Sequence, residues 1–243
     1  MRRRAARPAI HGIVGRVRTR PLIAVSIIAL AAAVVITALL LIVRPWESSA
    51  TSPGSGAATD APASDGSLPP LVNESTRILD DAGPDAPVVV EFLDFECEAC
   101  GAVYPTMEQL RATYQGEVTF AIRYFPLPGH FNSRNAAVAV ESAAQQGALE
   151  PMYQRMFETQ SEWGEAQASE APRFRGYAEE LGLDMADYDA AVAAPETMAR
   201  VEQDFQAGAA LGVDRTPTIF IGGERLDLQS LSDIEEAIEA SLQ

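Results

Sequence analysis

The pattern that leaves this chain the fewest folds to choose from is a change of hydrophobic period at one corner. Val88 to Phe95, VVVEFLDF, is a β-branched and aromatic run broken by Glu91, which predicts a mostly buried central strand. From Cys97 onward the apolar positions become Val103, Met107, Leu110 and Tyr114, spaced four, three and four, and the run ends near Gly116. That spacing predicts a helix. Val118 to Phe125, VTFAIRYF, then reads as a second strand. A strand, a helix and a strand with so short a return make a right-handed βαβ unit of parallel strands.

Cys97 and Cys100, the only two cysteines of the 243 residues, stand at the strand-to-helix corner with Glu98 and Ala99 between them. One pair cannot build a disulfide scaffold, and a C-x-x-C bond closes so little chain that it stabilises little through loop entropy. A tetrahedral zinc site needs about four Cys or His ligands. The histidines are His11, in a basic tail, and His130, in the loop PLPGHFNSRN, to which no role is assigned. A metal would need carboxylates, water or a second chain to complete its shell, so none is expected. At a helix start, unpaired N–H groups and the positive dipole end favour an anion, which for the first cysteine means thiolate. The corner suits redox chemistry.

Charge divides the chain sharply. All 18 cationic residues are arginines, and eight of them lie at or before Arg44, where there is no acid. Beyond Arg44, ten arginines against 34 acids leave a formal charge of −24. A basic nucleic-acid-binding domain is excluded there. Leu22 to Val43 is 22 residues without a charge, long enough for a helix to cross about 30 Å of hydrocarbon. Seven arginines precede it, so the positive-inside rule predicts a cytoplasmic tail (1–21), one transmembrane helix (22–43) and an extracytoplasmic remainder. A cleaved signal is the competing reading, since Ser48-Ser49-Ala50 resembles a cleavage site, but the apolar core exceeds the usual 7 to 15 residues of a signal peptide. Residues 44–72 are small, polar and rich in Pro and Gly, which predicts a flexible tether spanning roughly 25 to 30 Å. One domain, 73–243, remains.

Its middle, about 132–212, is helical by composition, with Ser133, Ser169 and Pro195 as entry signals and Gly147, Gly182 and Gly212 as exits. PTIFIGGERL then reads as a β-hairpin turning at Gly222-Gly223. LSDIEEAIEASL places Leu231, Ile234, Ile238 and Leu242 on one face of a last amphipathic helix. The fold class is α/β: βαβ, a block of helices, then ββα.

In this order the residues resemble the thioredoxin fold, and with the helical block between its halves they resemble the DsbA family of thiol-disulfide oxidoreductases, over about Pro87 to Gln243. Beyond the cysteines, Glu91 matches the family's buried strand acid, and Pro105 matches the proline that kinks the active-site helix. Thr216-Pro217 matches the cis-proline loop that binds the substrate backbone. The resemblance implies Cys97 as nucleophile, Cys100 as the resolving thiol and Glu91 as its proton exchanger, with no cofactor. It implies cysteine-containing substrate proteins, a membrane partner that re-oxidises the pair, and a monomer.

The chain departs from the family between its cysteines. Many oxidising members carry Pro-His there, whereas Glu98-Ala99 supplies no cation. Asp94, Glu96 and Glu98 are therefore expected to raise the Cys97 pKa and to make a milder oxidant. A reductase or isomerase of the same fold, and a non-catalytic binding or chaperone module, stand as the alternatives to an oxidase.

Overall fold

Five strands form one mixed sheet in the order β1-β3-β2-β4-β5: β1 (Arg77–Asp80), β2 (Val88–Leu93), β3 (Thr119–Tyr124), β4 (Thr218–Ile221) and β5 (Glu224–Arg225). The computed structural model describes residues 68–243. The arginine-rich tail, the apolar segment 22–43 and the linker up to residue 67 lie outside the described residues. Among the described residues no helix is long and apolar enough to cross a membrane.

β2 and β3 run parallel, in a register that sets Val90 against Ala121 and Glu91 against Ile122. The connection between them is α1 (Glu98–Thr113), which gives the expected strand-helix-strand unit. β4 lies antiparallel on the other side of β2, and β5 returns antiparallel to β4. Gly222 and Gly223 turn that hairpin at φ of 59° and 95°, the left-handed backbone that a two-residue hairpin turn requires. β1, antiparallel to β3, was not foreseen. Its four residues, RILD, are half-buried throughout and carry no alternation that marks a strand.

Between β3 and β4 come six helices: α2 (Ser133–Ala144), α3 (Leu149–Glu158), α4 (Gln160–Trp163), α5 (Ala171–Glu180), α6 (Met185–Ala193) and α7 (Pro195–Ala210). The last helix is α8 (Ser232–Ser241). Pro195 occupies the first turn of α7, where a missing N–H costs nothing, and the backbone leaves α2, α5 and α7 through left-handed glycines at 147, 182 and 212. Ser133 opens α2 as its first residue, with Asn132 at the cap position.

The two-residue period of β2 sorts the core into faces. On one face Val89 packs with Val103, Met107 and Leu110 of α1 and with Ile234 and Ile238 of α8. Leu93 on the same face meets the inserted helices. On the other face Val90 and Phe92 pack with Phe125, Val213 and Phe220. Only the middle of the α8 stripe is buried: Leu231 and Leu242 flank the helix as its two cap residues and are exposed.

Arg123 of β3 is fully buried and meets Asp204 of α7, also fully buried, with Nε to Oδ1 at 2.7 Å. Its Nη1 donates to the carbonyls of Pro70 and Leu71, so the segment entering the domain is fastened to the same arginine. Breaking a buried pair of this kind leaves one charge uncompensated.

Candidate active site

β2 ends at Leu93, and the chain turns through Asp94 to Cys97 before α1 begins at Glu98. Cys97 occupies the cap position of α1, with φ −69° and ψ 118°, and no side chain other than its own is placed to cap the helix. A side chain at this position faces the N–H groups two and three residues on, here Ala99 and Cys100. A sulfur there behaves as an anion-binding group turned inside out.

The two cysteines are free thiols in unlike surroundings. Cys97 is 8% exposed and Cys100 is fully buried. The Cys97 pKa is lowered to about 5, first by the hydrogen bond from the Cys100 thiol, then by Thr216 and the amides of Cys100 and Ala99, against the opposing cost of burial. Burial and the neighbouring Cys97 push the Cys100 thiol well above its ordinary value. One sulfur is a stable thiolate and the other holds its proton.

Thr216 and Pro217 close the site from the opposite side. The Thr216–Pro217 peptide bond is cis, and the Cys97 Sγ lies 3.4 Å from the Thr216 carbonyl. The Thr216 hydroxyl is buried with no hydrogen-bond partner among the described residues. A cleft of about 570 Å³ runs along this loop, lined by Ala99, Thr216, Pro217, Ile219, Leu226 and Leu228 among others, so a polypeptide lying against Pro217 passes directly over the corner.

Glu91 sits on the α1 side of β2, between Val89 and Leu93, and is 3% exposed. Burial, with the negative charge of Cys97 added, raises its pKa to about 8. It therefore carries a proton at neutral pH.

The acids expected to oppose the thiolate do something else. Asp94 is buried; its Oδ1 accepts from the Glu96 amide at 2.9 Å, and its Oδ2 accepts from the Leu127 amide at 2.9 Å. The buried Glu96 accepts from the Asn132 amide at 2.6 Å. Both carboxylates thus staple the loop before α2 to the corner. Glu98 is exposed, and its pKa is raised by a hydrogen bond to Glu165, itself held at a left-handed φ of 62°. The expected rise of the Cys97 pKa is corrected to a fall, since donors contact the sulfur while these acids are committed elsewhere.

His130 was given no role, yet its Nδ1 lies 2.7 Å from Asp94 Oδ2. Burial pulls its pKa down, but the Asp94 carboxylate and the nearby Cys97 outweigh this and leave it raised. An imidazole absent from the Cys-x-x-Cys dipeptide thus comes to the corner from a loop, where its partner is Asp94. Gln160 was also missed: its Nε2 donates to the carbonyls of Phe95, at 2.7 Å, and Cys97, at 2.9 Å. Neither has a local sequence signal, because its partners lie more than 30 residues away. Among the described residues no group of three or more His, Cys, Asp or Glu is placed to hold a metal ion.

Residues 83–240 match the family described as Thioredoxin. The chain belongs to the thioredoxin family. Two solved structures share its fold. BdbD of Bacillus subtilis, in its oxidised form, superposes with a TM-score of 0.62 at 20% identity, over 70% of this chain and 94% of that one. A thioredoxin-like oxidoreductase of Silicibacter pomeroyi gives 0.59 at 23% identity, over 70% and 94%. Among curated proteins, the Na(+)/H(+) antiporter NhaA of Herminiimonas arsenicoxydans is 35% identical over 153 residues, which are 61% of this thioredoxin-family chain and 23% of the antiporter. The chain thus spans about a quarter of the length of the curated relatives it matches.

Proposed function

We propose that the chain is an extracytoplasmic thiol-disulfide oxidoreductase, held to the membrane through residues 22–43, that introduces disulfides into secreted or envelope proteins with the Cys97–Cys100 pair. The observation that carries this reading is the asymmetry of the pair: a thiolate held near pKa 5 at a helix start and a buried thiol pushed far above it. Only the thiolate form is a nucleophile or a good leaving group.

The cycle starts from the Cys97–Cys100 disulfide. A substrate thiolate attacks the Cys97 sulfur; the S–S bond breaks and its electron pair leaves with Cys100. Because Cys100 strongly favours its proton, it takes one from the Glu91 side, whose carboxyl is protonated below about pH 8. A second substrate thiolate then attacks the substrate sulfur of the mixed disulfide and expels Cys97, which departs as a stable thiolate. The substrate has lost two electrons and gained a disulfide; the enzyme is a dithiol. A membrane electron acceptor takes two electrons from the pair, and as the disulfide re-forms Cys100 returns its proton to Glu91.

Thr216 and Pro217 serve substrate binding. Thr216 and Pro217 line the cleft, where their main chain would grip an extended polypeptide without regard to its side chains. The thioredoxin-like fold and the name of the Silicibacter pomeroyi relative, an oxidoreductase, support the reaction class.

The test is the thiol state in living cells, read by acid quenching and alkylation with a mass-tagged maleimide. A mostly oxidised pair is the expected result. A mostly reduced pair would reverse the electron flow and make the chain a reductant. A Cys100→Ser variant is expected to accumulate mixed disulfides through Cys97, and their absence would remove Cys97 as the attacked sulfur.

A further inference from the structure

The cap residue of α1 is the redox cysteine itself, whose side chain makes no conventional capping hydrogen bond. A helix start whose amides have only a sulfur to face is held weakly and is prone to fray, since helix ends fray where capping is poor. Fraying here would cost more than helix stability. The amides of Ala99 and Cys100 favour the thiolate only while they are aimed at Sγ.

Gln160, from α4 in the helical block, holds this corner from outside. Its Nε2 donates to the carbonyls of Phe95 and Cys97, which bracket Glu96 in the turn leading into α1. Two acceptors side by side fix which end of the amide is nitrogen. The Cys97 carbonyl also takes the first bond inside the helix, from the Gly101 amide at 3.1 Å, so one oxygen joins the helix and the clamp. Gln160 Oε1 then occupies the space over Gly101: a Cβ on that glycine would stand 2.0 Å from it. A side chain at position 101 and the amide of Gln160 exclude one another.

We infer that Gln160 is a positioning residue of the redox centre: by fixing the carbonyls of Phe95 and Cys97 it keeps the start of α1 aimed at the Cys97 sulfur, and Gly101 is glycine to admit it. The inference rests on the reading of Cys97 as the reactive thiolate. It makes α4 a part of the chemistry and not only a wall of the domain.

The test measures the pH midpoint of Cys97 alkylation by iodoacetamide in the reduced full-length protein, alongside thermal unfolding. Gln160→Met keeps the stem and removes both donors; it is expected to raise the midpoint by about one pH unit, which cuts the thiolate fraction at pH 5 roughly fivefold. Gly101→Ala, which pushes the amide away, is expected to do the same. Combining Gly101→Ala with Gln160→Ala removes the collision, so the double variant is expected to be no worse than Gln160→Ala alone. Unchanged midpoints in Gln160→Met, or additive effects in the double variant, overturn the inference. A fall in melting temperature with an unmoved midpoint reduces Gln160 to a structural role and overturns it too. Should Gly101→Ala fail to fold, the Gln160→Met midpoint decides alone. The readout is independent of electron direction in cells, so failure of the oxidase reading and failure of the clamp give different results.

Discussion

At the scale of single residues, the buried carboxyl of Glu91 has a thermodynamic signature that separates it from an ordinary core acid. Its pKa stands near 8 in the fold against 4.5 outside it, so the folded state favours the protonated form. The fold therefore loses stability as pH rises from about 4.5 to 8, by about 3 kcal/mol at pH 7. Glu91→Gln is expected to recover stability of that order at pH 7 and almost none at pH 4. Chemical denaturation of both proteins across that range checks it, and a gain that does not depend on pH would place Glu91 in a solvated site. Part of the shift comes from the Cys97 charge, so the gain should be larger in the reduced protein than in the oxidised one. The sequence exposed this residue because an acid interrupts VVVEFLDF, and period two puts it on the α1 side of the strand. It misled for Asp94 and Glu96. Both stand beside Cys97 in the chain, but which way a carboxylate points depends on amides at Leu127 and Asn132 that no local pattern reveals.

At the scale of elements, legibility followed strength of period. The β2-α1-β3 unit, the hairpin and the helical block all have several apolar positions in phase, and the structure contains them. β1 has four residues and no alternation, and it exists because β3 offers a free edge, which is a tertiary cause. The fit of α7 is likewise tertiary. Its Gly208 is buried where the helix crosses the sheet, and a Cβ there would lie 2.8 Å from the Phe125 ring and 2.9 Å from the Phe92 ring. In an exposed helix, Gly to Ala would stabilise by up to about 1 kcal/mol. Here overpacking against two aromatic rings wins, and Gly208→Ala is expected to destabilise by about 1 to 3 kcal/mol. Urea unfolding decides the sign, and a stabilised variant would mean that α7 moves freely over the Phe92 and Phe125 rings.

At the scale of the whole molecule the first question is how strongly the pair oxidises. Holding a thiolate at pKa about 5 instead of 9 stabilises the reduced form at pH 7 by about 3 kcal/mol, since only the two units below ambient pH count. That is roughly 60 mV, against about 150 mV separating a thioredoxin-like reductant from the strongest oxidants. The expected potential lies between those poles, in keeping with a milder oxidant than a Cys-Pro-His-Cys relative, although the cause is not the one the acids suggested. Equilibration with glutathione buffers measures it. A value as oxidising as the strongest members would mean that groups beyond Cys100, Thr216 and the α1 amides stabilise the thiolate.

The second question is where the potential is used. Proteins that need disulfides acquire them outside the cytoplasm, and a reactive pair at such a potential is of use only where glutathione and thioredoxin do not keep it reduced. In the proposed topology, the seven arginines before Leu22 and the 22 uncharged residues from Leu22 to Val43 would direct the acidic remainder to that side. In the same proposal, a tether spanning roughly 25 to 30 Å would keep the cleft beside Pro217 within reach of chains emerging from the membrane and of a membrane-bound electron acceptor. The expected result is sedimentation with membranes that resists alkaline carbonate, together with release of a redox-active domain when protease is added to cells whose outer layers have been removed. A processed form free of membranes and beginning near Ser49 would instead make the apolar segment a cleaved signal. The oxidase would then diffuse, and its substrates would include chains already clear of the bilayer.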